Sequence, residues 1–165
     1  MGRWRTPPPE SSPYITPEGY QRLGTELNSL WERRREVTKA LSAAAAEGDR
    51  SENAEYIYRK KELREIDARI RYLQKRIPGL KVVSQTGDET RIFFGAVVTI
   101  ENEDGEQSRY RIVGADEFDH REYYISVDSA MGKVLLGKSL DEEITIRTSE
   151  YVRRYLITAI EYNTG

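Results

Sequence analysis

The chain has 165 residues, 33% of them charged and 38% hydrophobic, with a formal net charge of −2 and no cysteine. That length allows one or two domains, and the polarity implies a modest core beneath a large solvated surface. Without Cys there is no disulfide or thiol chemistry, as suits a cytoplasmic location, and no apolar run nears the ~18 residues of a membrane span, so no membrane partner is expected.

The charge is unevenly placed. Residues 17–77 carry +3 (14 Lys and Arg against 11 Asp and Glu), whereas residues 78–165 carry −6 (10 against 16). A basic half joined to an acidic one points to an anionic partner for the first. In chain order, residues 1–13 contain Pro7-Pro8-Pro9 and Ser11-Ser12-Pro13. This composition predicts a disordered N-terminal arm. Arg3 and Arg5 precede no apolar stretch, so the arm is no secretory signal.

Residues 14–86 read as a helical hairpin. Thr16 suits an N-cap, Pro17 the first helical position and Glu18 the positive helix end. Apolar residues then recur in heptads at Tyr20, Leu23, Leu27, Leu30, Val37, Leu41 and Ala44. A second stripe runs through Tyr56, Leu63, Ile66, Ile70, Leu73 and Ile77, and Pro78-Gly79 should end it. One stripe per helix and a short link predict an antiparallel two-helix coiled coil, roughly 42 Å long at 1.5 Å per residue.

The tip is Glu47 to Tyr56. Gly48 supplies the positive φ that closes a helix C-terminus, and Asp49, Ser51 and Asn53 are each competent N-caps. Asp49 and Glu52 have two readings. They have capping-box spacing. They are also half of a Mg²⁺ site, since Mg²⁺ is often held by one or two protein carboxylates with phosphate and water completing the shell. Basic residues crowd both arms: Arg33, Arg34, Arg35 and Lys39 on the first, Arg59, Lys60, Lys61 and Arg64 on the second. Counted outward from the tip, Lys39 lies level with Arg59, and Arg34 and Arg35 with Arg64. Such runs are either a solvated face or a contact for phosphates.

Residues 87–165 change period. Gly87-Asp88 marks the linker. Ile92 to Ile100, Arg109 to Val113, Tyr123 to Val127, Glu143 to Arg147 and Tyr155 to Tyr162 read as strands, the first two joined by the turn Asn102-Glu103-Asp104-Gly105. Ser129 to Leu136 reads as a short helix capped by Ser129 and ended by Gly137. Together these predict an α+β unit, an antiparallel sheet with one short helix. His120, the only histidine, sits in an acidic loop with no second ligand nearby and reads as surface.

The stretch Gly48-Asp49-Arg50-Ser51-Glu52-Asn53-Ala54-Glu55-Tyr56 resembles the tip loop of the bacterial Gre transcript cleavage factors. Leu30-Trp31, Lys60 to Asp67 and Phe93-Phe94-Gly95-Ala96 are most similar to the GreB branch. The resemblance covers about residues 14 to 165 and implies an FKBP-like C-terminal domain. That domain would dock on the rim of bacterial RNA polymerase and aim the coiled coil into its secondary channel. It implies that Asp49 and Glu52 are the catalytic acids and hold a Mg²⁺ shared with the polymerase, the chain holding no cofactor alone. Arg50 would orient the phosphate, Ser51 or Asn53 the water or the tip itself, and the eight basic residues would meet the 3′ end of nascent RNA in backtracked complexes. The factor would then be no enzyme itself but would stimulate the polymerase's own RNA cleavage and rescue arrested complexes. The alternative is a regulator that binds the same channel and inhibits without stimulating cleavage. Pro78, Leu140-Asp141-Glu142-Glu143 and Thr148-Ser149-Glu150 depart from the family pattern at local turns.

Overall fold

The computed structural model describes residues 11–48, 53–84 and 87–162. They divide into two units, residues 20–79 and residues 11–19 together with 80–162.

The helices follow from their caps and their stripes. α1 (Pro17–Ala45) starts where Thr16 Oγ1 accepts a hydrogen bond from the Gly19 N–H at 3.1 Å. α2 (Ala54–Arg76) stops as Pro78 approaches, and Ile77–Gly79 continue as one 3₁₀ turn. Proline has no N–H to extend an α-helix, and its ring collides with the carbonyl four residues back. Leu23, Leu30, Val37 and Ala44 from α1 and Ile66, Ile70 and Leu73 from α2 are buried, so the heptad stripe is the core of the hairpin. Tyr20 alone leaves the stripe and is exposed. Polar links keep the antiparallel register. Arg69 reaches Glu26 at 2.6 Å, Arg33 reaches Glu62 at 2.8 Å, and Asn53 Nδ2 reaches the Ala44 carbonyl at 2.7 Å. Among the described residues no helix is long and apolar enough to cross a membrane.

The second unit is a curled five-stranded sheet. Its strands are β3 (Val97–Asn102), β4 (Gln107–Val113), β5 (Tyr124–Ser126), β6 (Glu143–Arg147) and β7 (Val152–Glu161), in the order β5-β4-β3-β7-β6. All pairings are antiparallel except that β5 runs parallel to β4, returning through residues 114–123. A register shift between Thr99 and Ile100 bends β3 against β7. β3 begins later than the apolar run from Ile92 suggests, because Gly95 turns the chain with φ +89° first. The short helix α3 (Ala130–Leu135) is capped as expected, Ser129 Oγ accepting from the Gly132 N–H at 3.1 Å. It packs on one face of the sheet, over Val98, Ile100, Ile112, Ile144 and Ile157.

The other notable feature of this unit is its N-terminal segment. β1 (Tyr14–Ile15) pairs in parallel with β2 (Lys81–Val82). Ser12 donates to Asp128 from both its N–H and its hydroxyl. Two buried ionic groups fasten the start of α1. Glu117, 2% exposed, accepts from the Thr16 N–H at 3.1 Å, the Thr16 hydroxyl and the Gly114 N–H at 2.8 Å. Arg111, 1% exposed, donates to the Gly95 carbonyl, the Tyr124 hydroxyl and, at 3.2 Å, Glu18. The approach is close enough that a Cβ at Gly19 would lie 2.0 Å from Glu117 Oε1.

Candidate functional site

The hairpin tip is built from the ends of two helices. The last turn of α1 closes through the Ala46 and Glu47 N–H groups, and Gly48 follows with φ +126°. α2 begins at Ala54, and its cap is Asn53: Oδ1 accepts from the Tyr56 N–H at 3.1 Å. The same side chain donates from Nδ2 to the Ala44 carbonyl in the last turn of α1, which also accepts from the Glu47 N–H at 3.2 Å. One amide thus satisfies a donor of the second helix and an acceptor of the first.

Asp49, Arg50, Ser51 and Glu52 lie outside the described residues. Their place in the sequence still bears on the two readings of the acids. With Asn53 as the cap, Glu52 precedes it and cannot be the third residue of α2, so a capping box of Asp49 and Glu52 is not the start of this helix.

The eight basic residues sort into two sets. Arg33, Arg34 and Arg59 are engaged across and along the hairpin. Arg33 binds Glu62 at 2.8 Å and Glu36 at 3.1 Å, Arg34 binds Asp67 at 2.7 Å, and Arg59 binds Glu55 at 2.8 Å and Glu62 at 2.9 Å. Glu62 meets Arg33 across the hairpin and Arg59 along α2. Burial works to raise its pKa, but hydrogen bonds from Arg33 and Arg59 outweigh that and hold it below the ordinary value. The guanidinium pKa of Arg33 is raised by its bond to Glu62, and that of Arg59 by its bonds to Glu55 and Glu62. Arg35, Lys39, Lys60, Lys61 and Arg64 are exposed and make no ion pair among the described residues. His120 is exposed, its ring 6.0 Å from that of Tyr124.

Sequence reasoning missed the double use of Asn53, because three cap-competent residues stand within five positions. It also missed Glu117 and Arg111. Glu117 looks like one more acid in a loop, and its sequence neighbourhood does not announce Thr16, a partner 101 positions earlier.

Known proteins carry the same two parts. A family model described as "Transcription elongation factor, N-terminal" matches residues 13–82, and one described as "Transcription elongation factor, GreA/GreB, C-term" matches residues 87–162. The chain is 55% identical to transcription elongation factor GreB of Pseudomonas aeruginosa, covering 98% of both chains. It is 52% identical to GreB of Yersinia pestis, covering 92% of this chain and 90% of that one. Among solved structures it is similar to the GreA factor homolog 1 (Gfh1) protein of Thermus thermophilus, with 28% identity, 90% and 97% coverage and a TM-score of 0.40.

Proposed function

The chain belongs to the GreA/GreB family of transcription elongation factors, and from that premise we propose that it stimulates RNA cleavage by a backtracked bacterial RNA polymerase. On this reading the hairpin enters the secondary channel, and the C-terminal unit docks on the polymerase rim. The polymerase remains the enzyme, and this chain completes its active centre. Removing the displaced 3′ segment of the nascent RNA returns an arrested complex to elongation.

The observation that carries the proposal is the cap at Asn53. With Asn53 as the cap, α2 does not start from a capping box of Asp49 and Glu52. Two carboxylates with hard oxygen donors at the end of a hairpin fit a Mg²⁺ that substrate phosphate, water and the polymerase help to hold. The chemistry that a bound Mg²⁺ supplies is activation of a water for attack on a phosphodiester. The chain's own residues hold and place: Asp49 and Glu52 as ligands, Arg50 toward the phosphate, Ser51 toward the water. Asn53 fixes the two helix ends from which the loop springs.

The test separates charge from shape. Asp49→Asn and Glu52→Gln keep size and an acceptor oxygen but remove the charge a hard cation requires. Thermal stability should stay within about 0.5 kcal/mol of wild type, since each change keeps size and an acceptor oxygen. Stimulated cleavage of pre-formed backtracked complexes should fall to the level of polymerase alone and return in part with added Mg²⁺ or Mn²⁺. Near-normal cleavage by both variants would sink the metal reading. A wild-type protein that slowed elongation without releasing RNA fragments would establish an inhibitor instead.

A further inference from the structure

The five-stranded sheet ends on one side at β6, which pairs with β7 and with no other strand among the described residues. The register fixes where the free backbone groups of β6 point. Arg147 lies opposite Val152, and the next pair, Thr148 and Tyr151, is closed by a 2.9 Å bond from the Thr148 N–H to the Tyr151 carbonyl. Bonded and non-bonded pairs alternate along an antiparallel ladder. Ile144 and Ile146 therefore direct their N–H and C=O groups to Tyr155 and Arg153, whereas those of Glu143, Thr145 and Arg147 point out of the open edge. Such an edge is a template for another strand, and natural sheets blunt it with proline, a bulge, lysine or a covering element. β6 contains no proline or lysine, and its pairing with β7 is regular.

The sequence of β6 is Glu-Ile-Thr-Ile-Arg, with one apolar pattern from either end and opposite charges at the two ends. Turned end for end about Thr145, it meets a copy of itself with Glu143 opposite Arg147, Ile144 opposite Ile146 and Thr145 opposite Thr145. The bonded pairs of that register are made by Glu143, Thr145 and Arg147, the residues whose backbone groups face the edge. Two bonds for each pair give about six backbone hydrogen bonds. Ile144 and Ile146 fall in the non-bonded pairs, where side chains come closest. A slip of two residues takes Glu143 away from Arg147, and a slip of four sets like charges opposite each other. Glu143 and Arg147 are exposed and make no ion pair among the described residues. On β7, Leu156 stands beside Glu143 and Val152 beside Arg147, 41% and 56% exposed, so each charge has an apolar neighbour.

We infer that the β6 edge is a self-recognition surface, to which a second copy of this chain adds its own β6 so that the two sheets become one. The two-fold axis passes through Thr145, and the same patch serves both copies. Strands of five residues make a small contact, so the dimer belongs to the transient class.

The experiment is sedimentation velocity of the full chain from about 1 µM to about 1 mM, the range of weak complexes, with backbone amide resonances followed by NMR over the same range. The sedimentation coefficient should rise with concentration, and the Glu143, Thr145 and Arg147 resonances should move more than those of β3 and β4. Glu143→Arg and Arg147→Glu each set like charges opposite each other and should weaken association at least about 2- to 30-fold, the loss of two cross-strand ion pairs. Mixing the two variants should restore it, because each supplies the charge the other lacks. Thr145→Pro removes an edge N–H that β7 does not use and should abolish association. The charge variants decide the question should the proline variant not fold. A wild type still monomeric at about 1 mM would overturn the inference. So would association with unmoved β6 resonances, or a mixture that associates no better than either variant alone.

Discussion

The double duty of Asn53 makes the sharpest structural test. Asn53→Ala removes the Oδ1 acceptor of the Tyr56 N–H and the Nδ2 donor to the Ala44 carbonyl together. Loss of an N-cap costs about 0.5–2 kcal/mol and loss of a further hydrogen bond about 0.5–1.5 kcal/mol, so the pair is worth about 1–3.5 kcal/mol locally. Asn53→Asp is the discriminating change. Aspartate caps as well as asparagine but has no amide to donate, so only the bridge to α1 is lost, at about 0.5–1.5 kcal/mol. The assay is hydrogen exchange of the Tyr56 and Ile57 amides under conditions where it reports opening equilibria. Exchange should quicken about 5- to 300-fold in the alanine variant and about 2- to 12-fold in the aspartate variant. Amides around Ile66 and Ile70, in the buried seam, should not change. An aspartate variant that matched wild type would show that the bridge contributes nothing. One that matched alanine would refute the cap. Stimulated cleavage should fall in the same order, because both helix ends frame residues 49–52.

The remaining predictions concern the ionic groups. The lowered pKa of Glu62 means that its ionised form is favoured by the fold, so its contribution is complete above the ordinary value of 4.5 and is lost as pH falls through the lowered one. Glu62→Gln should therefore cost about 1 kcal/mol at neutral pH, and the gap in melting temperature should close on titration into acid below that value. A gap that persisted there would refute the pairing with Arg33 and Arg59. Glu117→Ala should destabilise the second unit by at least about 3 kcal/mol, since three donors lose one buried acceptor, as read by chemical denaturation. Gly19→Ala should destabilise it too, because its Cβ would meet the Glu117 carboxylate. Full stability in Gly19→Ala would mean that the contact relaxes freely.

Much of this molecule was legible because its signals are periodic or local. The heptads name the buried seam, Thr16-Pro17 the start of α1, Pro78 the end of α2, and Ser129 the cap of α3. What escaped reading depends on partners far apart in the chain. Arg33 and Glu62 are 29 positions apart, and nothing in either neighbourhood announces the pair. β1 is two residues long, too short for any alternation to show. The parallel setting of β5 is decided by the path of residues 114–123, since a three-residue strand carries no mark of direction. At the tip the residue types were legible, but Asp49, Ser51 and Asn53 were equivalent as caps until the start of α2 was located.

The pairing of β1 with β2 sets Ile15 opposite Val82, on strands that stand immediately before and after the hairpin. In chain topology the hairpin is therefore a guest inserted into a host sheet, leaving and rejoining it at one strand pair. Insertions of this kind are free to change length only under a matching rule. Because the arms are antiparallel, a heptad added to α1 requires a heptad added to α2, or the seam from Leu23 to Leu73 falls out of step. Fourteen residues, seven in each arm, would advance the tip about 10.5 Å while leaving every contact of the host, from Ser12–Asp128 to Arg111–Glu18, as it is. Reach and attachment are thus separately adjustable, and the reach comes in steps of whole heptads.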